Sequence, residues 1–325
     1  MRAAWFNGAG APDVIEFRDV PRPTVRPLEV LVRVEAAGLN RADLLQRRGA
    51  YAAPEGSPRE IPGLEYAGVV TDTGAQVTRW KAGDRVMGLV GGGAMAEYVV
   101  VREFETLPVP PHLSSVEAAA IPEAFLTAFD ALVHRARLAR GERVLWHAAA
   151  SGVGTAAVQL CRHLGFHCVG TSRSAGKLAR LAEYGLVEAI DTSARGFREQ
   201  LASPVHAVVD SLGGPALADN LAVLHPRGRL VVLGLLLGGK AEIDLGLVLR
   251  KRLEIVGTAM RSRAFAERVP LLTEFAERIL PAFTPAQGRE ALVPVVDRVF
   301  PMAELAQAHE LMERNETFGK VIVSW

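Results

Sequence analysis

The fold of this chain is decided by one stretch, Glu142-Arg143-Val144-Leu145-Trp146-His147-Ala148-Ala149-Ala150-Ser151-Gly152-Val153-Gly154. Its apolar first half is typical of a buried strand, and its small residues are typical of a tight turn that opens directly into a helix. Backbone N–H groups at such a helix start can approach a pyrophosphate, whose negative charge the helix dipole favours. The stretch therefore predicts a degenerate dinucleotide-binding turn, in which Ala149 and Ser151 replace two of the usual glycines and Gly154 keeps the third.

The surrounding sequence supports this interpretation, because the turn by itself would fit an ordinary tight turn equally well. Strand-like and helical segments alternate on both sides of it. We predict strands at Arg143–His147, His167–Ser172, Ala189–Asp191, Ala207–Ser211, Arg229–Gly234 and Leu253–Thr258, and helices at Gly154–Leu164 and Lys177–Tyr184. Such alternation indicates a parallel sheet with right-handed crossovers. Six strands match the size of a full dinucleotide-binding fold.

The rest of the chain has a different character. Its first third carries short β-branched segments such as Val30–Glu35, separated by many prolines and glycines, which is typical of a small barrel. The tail returns to strand-like residues at Leu292–Phe300, so we expect it to fold back onto the first part. We therefore predict a dinucleotide-binding domain flanked by two parts of a catalytic domain, with the bounds 113–260 for the former and 1–112 and 261–325 for the latter.

Length and composition exclude several other classes of protein. The chain has 325 residues, which is more than one hydrophobic core usually serves, so two domains are expected. Its 37 basic and 36 acidic residues form no run that would indicate a nucleic acid or a membrane surface as partner. The two cysteines cannot build a disulfide framework, and no apolar segment resembles a signal peptide or a membrane span. We expect a cytoplasmic protein.

The end of the second predicted strand of this domain indicates which dinucleotide binds. An NAD enzyme usually carries an acid there, which holds the hydroxyls of the adenosine ribose. This chain has Ser172 instead, followed by Arg173 and Lys177. A hydroxyl and a guanidinium would hold a ribose phosphate that a carboxylate would repel, and cations at a helix start are unfavourable unless an anion binds there. We therefore predict NADPH, the other interpretation being a solvated basic helix start.

Nearly the whole chain resembles the quinone oxidoreductase (zeta-crystallin-like) branch of the medium-chain dehydrogenase/reductase superfamily. The resemblance rests on short stretches in a fixed order, namely Gly38–Asp43, Pro62–Gly68, Lys81–Val86, Thr127-Ala128, Ser151–Gly154, Val209–Gly214, Gly228–Leu230 and Gly319-Lys320. It implies an α/β protein that combines a GroES-like β-barrel catalytic domain with a Rossmann domain. The Rossmann domain is a doubly wound parallel sheet that binds the dinucleotide.

Zinc-dependent relatives differ from this chain where they hold their metal. They carry a cysteine where this chain has Asn40 and a histidine where it has Leu64, and Gly88–Glu105 contains no cysteine for a second zinc. Zinc needs thiolate, imidazole or carboxylate ligands in tetrahedral number, so we predict no metal. Without a Lewis acid a simple ketone is hard to polarise, whereas a quinone is already electrophilic. The resemblance and this chemistry together predict an NADPH:quinone oxidoreductase.

The resemblance also implies which residues form the site. Asn40 would lie beside the nicotinamide and the acceptor, Asp43 would support it as a further catalytic candidate, and Tyr51 would line the acceptor pocket. For Asp43, a structural role at a helix start is an open interpretation. The other candidate cofactor-binding residues are Thr127, Ser151, Gly152, Val153, Gly154, Ser172, Arg173, Lys177, Leu212, Gly234 and Leu235.

Two other functions remain open at this point. The same cofactor site and metal-free pocket would serve an NADPH-dependent enone or enoyl-thioester reductase. A protein of this kind could also bind NADPH as a structural protein without turnover. In each case the partner is a small molecule, and we expect neither a nucleic acid nor a membrane partner.

The last predicted strand of the sheet bears on assembly. Leu253–Gly257 would leave an unpaired apolar edge, which soluble proteins normally protect. Relatives join two such edges across a two-fold axis. We therefore expect a homodimer formed through this edge.

Overall fold

A computed structural model describes residues 1–288 and 290–325. The chain folds into two units, each with its own core. The first, which we call the discontinuous unit, comprises Met1–Leu126 and Met260–Trp325. The second, the central unit, comprises Thr127–Ala259. No helix among the described residues is long and apolar enough to cross a membrane.

The strands and helices are numbered in chain order. The strands are β1 (Arg2–Phe6), β2 (Ile15–Asp19), β3 (Glu29–Leu39), β4 (Glu65–Thr73), β5 (Arg85–Leu89), β6 (Tyr98–Arg102), β7 (Thr106–Pro108), β8 (Arg143–Trp146), β9 (His167–Ser172), β10 (Glu188–Asp191), β11 (Val205–Asp210), β12 (Leu224–Val232), β13 (Glu254–Gly257), β14 (Val296–Pro301) and β15 (Lys320–Ser324). The α-helices are α1 (Arg41–Arg47), α2 (Ser115–Ala118), α3 (Pro122–Phe129), α4 (Gly152–Leu164), α5 (Ala175–Leu181), α6 (Phe197–Gln200), α7 (Leu217–Ala222), α8 (Leu245–Lys251), α9 (Phe265–Arg278) and α10 (Leu305–Glu313).

The discontinuous unit is built on a seven-stranded sheet with the order β14-β15-β3-β4-β5-β7, in which β6 also pairs with β3. The long strand β3 is central because it pairs with β15, β4 and β6. The valines of its first half, Val30, Val32 and Val34, are buried in the core of this unit. The predicted return of the tail is confirmed, since β15 runs antiparallel to β3 and places Val321 opposite Leu39.

The central unit contains a six-stranded parallel sheet with the order β10-β9-β8-β11-β12-β13. This is the doubly wound order of a dinucleotide-binding fold, in which the first strand lies in the middle and the chain winds outward on both sides. All six predicted strands of this domain are present. Apolar side chains from neighbouring strands, among them Leu145, Val169 and Val208, form the buried core.

The domain boundary predicted near residue 112 differs from the division in the structure. Residues 113–126, which the sequence placed with the dinucleotide-binding domain, pack in the discontinuous unit. Ser115 donates its hydroxyl to the Glu35 carboxylate at 2.6 Å, and Phe125 packs edge-on against Phe283 with ring centroids 4.8 Å apart. The cap residues of α2 mark the start of a helix, but they carry no information about which core the helix joins.

Candidate functional site

The predicted dinucleotide turn lies where β8 ends and α4 begins. Ser151 is the N-cap of α4, and its hydroxyl accepts a hydrogen bond from the Gly154 N–H at 3.1 Å. A Cβ on Gly154 would lie 2.4 Å from the Ala149 carbonyl oxygen, so only glycine permits this close approach. The first N–H groups of a helix have no partner within it, so α4 offers donors to an anion at this end.

A buried histidine supports the turn from beneath. His147 is fully buried, with Nδ1 3.0 Å from Thr171 Oγ1 and Nε2 2.7 Å from Asn220 Oδ1. Burial lowers the pKa of His147, so its imidazole is neutral at pH 7. Nε2–H then donates to the amide oxygen of Asn220, and Nδ1 accepts from the Thr171 hydroxyl.

The other candidate residues of the central unit follow neighbouring strands at the same edge of the sheet. Ser172 ends β9, Leu212 follows β11, and Gly234 and Leu235 follow β12. The parallel strands β9 and β11 flank β8, and β12 lies beside β11, so their carboxyl ends meet where ligands bind in such sheets. The structure thus brings together the candidates Ser151, Gly152, Val153, Gly154, Ser172, Arg173, Lys177, Leu212, Gly234 and Leu235.

An aspartate that the sequence reasoning did not single out anchors two of these loops. The Asp210 carboxylate accepts hydrogen bonds from the N–H groups of Leu212 at 2.7 Å and Gly213 at 3.2 Å. Leu237 in turn donates its N–H to the Leu212 carbonyl at 2.8 Å, which joins the loops after β11 and β12. The signal was present in the Val209–Gly214 stretch, since an acid at the end of a buried strand commonly binds turn N–H groups.

Asn40 belongs to the discontinuous unit, and its side-chain amide is oriented by a buried ion pair. Asn40 Nδ2 donates to Glu65 Oε1 at 2.9 Å and to the Gly38 carbonyl at 3.2 Å. Asn40 Oδ1 accepts from Lys320 Nζ at 2.6 Å. Lys320 Nζ and Glu65 Oε1 lie 2.5 Å apart, with 5% and 0% of their side chains exposed. The charges fix the amide with its NH2 toward the carboxylate and its oxygen toward the ammonium.

The second oxygen of the same carboxylate holds the start of a helix. Glu65 Oε2 accepts the Glu123 N–H at 2.8 Å, at the beginning of α3. A Cβ on Gly38 would lie 2.2 Å from Glu65 Oε1, so this position must be glycine. The sequence reasoning gave no role to Glu65 or Lys320. In the sequence, each is a charged residue within an apolar strand. A charged side chain is rarely buried unless it is paired with an opposite charge.

Thr127, another candidate, lies on α3. It is buried and is the first residue of the central unit. Asn40 and Thr127 therefore fall in different units.

Asp43 is fully buried in the first turn of α1. Its carboxylate accepts the Asn40 N–H at 2.9 Å and the Gly63 N–H at 3.1 Å. Burial raises the pKa of Asp43 to about 6, against the lowering effect of these hydrogen bonds and of the Arg261 charge. The geometry matches the structural interpretation of Asp43, because the carboxylate holds the backbone that carries Asn40.

Tyr51 lies over a guanidinium. The Arg261 Cζ atom is 5.4 Å from the centroid of the Tyr51 ring, and Tyr51 is half-buried. Burial raises the pKa of the phenol, which is therefore neutral at pH 7. Arg261 was not among the candidates, although the stretch that contains it follows the dinucleotide-binding domain directly.

Similarity to known proteins agrees with this architecture. Residues 26–111 match the family "Alcohol dehydrogenase GroES-like domain", and residues 152–277 match "Zinc-binding dehydrogenase". The "Quinone oxidoreductase" of Pseudomonas aeruginosa is 32% identical, covering 98% of this chain and 98% of the relative. The chain belongs to the quinone oxidoreductase branch of the medium-chain dehydrogenase/reductase superfamily. It is therefore an oxidoreductase with a dinucleotide-binding Rossmann domain.

Other proteins are similar over nearly the whole chain. The human "Synaptic vesicle membrane protein VAT-1 homolog" is 33% identical, covering 99% of this chain and 86% of the relative. The Escherichia coli quinone oxidoreductase complexed with NADPH has a TM-score of 0.85 at 26% identity, covering 100% of both chains. The CurK enoyl reductase has a TM-score of 0.86 at 30% identity, covering 99% of this chain and 98% of the other.

The side chains of Asn40 and Leu64 decide whether this chain could bind zinc as its zinc-dependent relatives do. At Asn40 and Leu64, where the resemblance places the ligands of zinc-dependent relatives, the Asn40 amide is engaged by Glu65 and Lys320, and Leu64 is buried and aliphatic. Within residues 1–288 and 290–325, no three His, Cys, Asp or Glu side chains are grouped so that they could hold a metal ion. An amide and an aliphatic side chain do not fit zinc.

We expect Asp43→Asn to change how stability depends on pH. Because the pKa of Asp43 is raised in the folded state from 3.8 to about 6, the folded protein binds the proton more tightly than the unfolded chain does. Its contribution to stability is complete below pH 3.8 and is lost as the pH rises through about 6. A shift of this size corresponds to about 3 kcal/mol. The free energy of unfolding of the wild type should therefore fall across this window relative to that of the variant, as measured by urea denaturation at several pH values. Parallel profiles would contradict the assignment.

Proposed function

We propose that this oxidoreductase transfers reducing equivalents from NADPH to a quinone without a metal ion. One observation carries the proposal: the Asn40 carboxamide, at the position where the resemblance places a zinc ligand of zinc-dependent relatives, is held between Glu65 and Lys320. A site of this kind can orient an acceptor but cannot act as a Lewis acid. It therefore suits an acceptor that is already electrophilic, and the similarity to named quinone oxidoreductases supports the same choice.

The residues of the chain would provide orientation in this reaction. NADPH, when bound, supplies the reducing equivalents. Asn40 is partly exposed, and its Oδ1 retains a lone pair beside the one that accepts from Lys320, so it can accept one further hydrogen bond. Because its amide is fixed in advance, Asn40 can hold a donor group of the cofactor or acceptor without reorganisation, but both Nδ2 hydrogens are engaged, so it offers none to negative charge on the acceptor.

The second candidate function is NADPH-dependent reduction of an enone or enoyl thioester. The specific observation in its favour is the similarity to the CurK enoyl reductase at 30% identity. A conjugated carbonyl compound is also electrophilic without a metal ion. The two candidates differ in the acceptor and not in the cofactor.

An acceptor panel separates these candidates. Purified protein with NADPH should reduce quinones at a higher kcat/KM than enones or enoyl thioesters, followed by the absorbance of NADPH. Prolonged dialysis against a strong chelator should leave that rate unchanged. Turnover of enones alone would favour the second candidate, and cofactor binding without any turnover would favour a structural role. A loss of activity that zinc restores would contradict the metal-free site.

The preference for NADPH is argued from the residues that follow β9. Ser172 ends the strand, Arg173 is exposed, and Lys177 lies in the first turn of α5, with its N–H donated to the Ser174 hydroxyl. The end of β9 offers a hydroxyl and two cations and no carboxylate of its own, which suits a ribose phosphate. The similarity to a quinone oxidoreductase complexed with NADPH supports the same cofactor.

Removal of these cations should weaken the binding of NADPH and leave the binding of NADH unchanged. The phosphate contact is remote from the transferred hydride, so Arg173→Ala and Lys177→Ala should raise the KM for NADPH and leave kcat nearly unchanged. Loss of one hydrogen bond to a charged group should weaken the binding of NADPH by roughly ten- to a hundredfold. Arg180→Ala, which removes a cation from the last turn of the same helix, is the matched control. Equal losses with both cofactors would mean that the cations serve the fold.

We also propose a homodimer formed through β13. This strand is the last in its sheet, and Ile255 on it is 41% exposed. Leu245 and Leu249 on the preceding helix α8 are 69% and 77% exposed, so the apolar surface extends beyond the strand. Exposed apolar surface of this extent is typical of an interaction site.

Light scattering tests the proposed interface. The wild type should have the mass of a dimer at micromolar concentration. Ile255→Lys should shift it to the monomer, because a lysine on an open edge opposes pairing between edges. Val187→Lys is the control, since Val187 is an exposed apolar residue just before β10, the strand at the opposite edge. A monomeric wild type would contradict the proposal.

A further inference from the structure

Arg261 is a buried cation that uses only part of its hydrogen-bonding capacity. The residue is 5% exposed. Its Nε donates to the Gly91 carbonyl at 2.8 Å, and its Nη2 donates to Gln46 Oε1 at 2.6 Å. Nη1 is shielded from solvent and has no hydrogen-bond partner among the described residues. The guanidinium is therefore held rigidly along one edge, while its remaining N–H groups lack an acceptor.

A donor of this kind requires an explanation, because an unpartnered N–H group on a buried cation is unfavourable. Arg47 offers a comparison within the same unit. It is also buried with an unpartnered Nη1, but its Nη2 forms an ion pair with Glu313 that compensates the charge. The hydrogen bonds of Arg261 go only to a carbonyl and an amide oxygen, and the Asp43 and Glu123 carboxylates act on its charge through space, without a hydrogen bond or ion pair to it among the described residues.

The surroundings of Arg261 are those of the proposed acceptor site. Its positive charge acts on Asp43, the residue that holds the backbone of Asn40, and on Tyr51. Both Asp43 oxygens are already engaged by backbone N–H groups. The Tyr51 ring is half-buried and lies against the guanidinium, with its centroid 5.4 Å from Arg261 Cζ. No residue in the described ranges 1–288 and 290–325 accepts from Nη1, so a bound molecule can supply the acceptor.

We propose that Arg261 Nη1 donates a hydrogen bond to the carbonyl oxygen of the electron acceptor, after the Tyr51 ring has moved aside. The ligand class is a quinone or a conjugated carbonyl compound, whose oxygen becomes negatively charged during reduction. This inference rests on the proposed function and adds to it the residue that recognises the reacting oxygen. A fixed donor aimed at developing charge is the arrangement that lowers the energy of such a transition state.

The electrons and protons balance without a further co-reactant. The acceptor would receive a hydride from NADPH, whose C–H bond breaks as it is oxidised to NADP⁺. A new C–H bond would form at the acceptor carbon conjugated with the carbonyl, the C=C π pair would shift toward the carbonyl carbon, and the C=O π pair would move to oxygen. In a quinone, that ring carbon would then release one proton to solvent, which restores the aromatic ring. The oxyanion that results lies against Arg261. Solvent then supplies the proton that completes the reduced product.

Binding of a product-like anion tests the inference without turnover. The probe is 4-nitrophenolate, followed by its absorbance during titration, and 4-nitroanisole is its neutral isostere. Wild-type protein should bind the phenolate at least tenfold more tightly than the anisole. Arg261→Met should weaken the binding of the phenolate by ten- to a hundredfold and leave the binding of the anisole unchanged. Arg47→Met, the matched buried arginine, should change neither by more than about twofold.

Kinetics and a conservative variant separate this inference from the proposed function. Arg261→Lys keeps the charge but loses the planar fork, so it should raise the KM for a quinone severalfold while the Kd for NADPH stays constant. Equal binding of phenolate and anisole by the wild type overturns the inference even if Arg261→Met fails to fold. Normal quinone turnover in both Arg261 variants also overturns it, and leaves the proposed function intact. Selective phenolate binding without quinone turnover would instead contradict the proposed function and retain the anion site.

Discussion

The discontinuous unit depends on the buried ion pair between Glu65 and Lys320. Removing both charges from water is costly, and only close mutual contact and further hydrogen bonds offset that cost. The ammonium meets this condition, because it donates to Glu65, to the Leu39 carbonyl and to Asn40 Oδ1. Loss of either partner would leave an uncompensated buried charge. The pair therefore joins the last strand of the chain to β4 and orients the Asn40 amide at the same time.

A second constraint governs the central unit, and it is steric. In the turn after β8, the Ala149 carbonyl oxygen occupies the space that a Cβ on residue 154 would need. This explains why Gly154 remains when the other two glycine positions carry Ala149 and Ser151. Beneath the turn, His147 links β8 to β9 and α7 through a neutral imidazole. Hydrogen bonds of this kind set the spacing of strand ends, and the strand ends are where the candidate cofactor-binding residues meet.

The two units thus contribute different chemistry. The central unit offers helix N–H groups, a hydroxyl and surface cations, all of which suit phosphate groups. The discontinuous unit offers a fixed carboxamide and two buried cations, Lys320 and Arg261, near the carboxylates of Glu65 and Asp43. Because Lys320 is fully engaged and Arg261 is not, negative charge that develops on an acceptor would find its partner at Arg261.

The sequence by itself determined the alternating strands and helices of the central unit, the return of the tail, the absence of zinc-ligand residues at Asn40 and Leu64, and the cations after β9. These follow from local periodicity and from residue types at fixed spacing. Only the tertiary structure decided which side chains meet. Lys320 and Asn40 are 280 residues apart, and Arg261 and Gln46 are 215 residues apart. Local patterns also placed 113–126 with the central unit, whereas these residues pack in the discontinuous unit, because a helix cap specifies where a helix begins and not the core against which it packs.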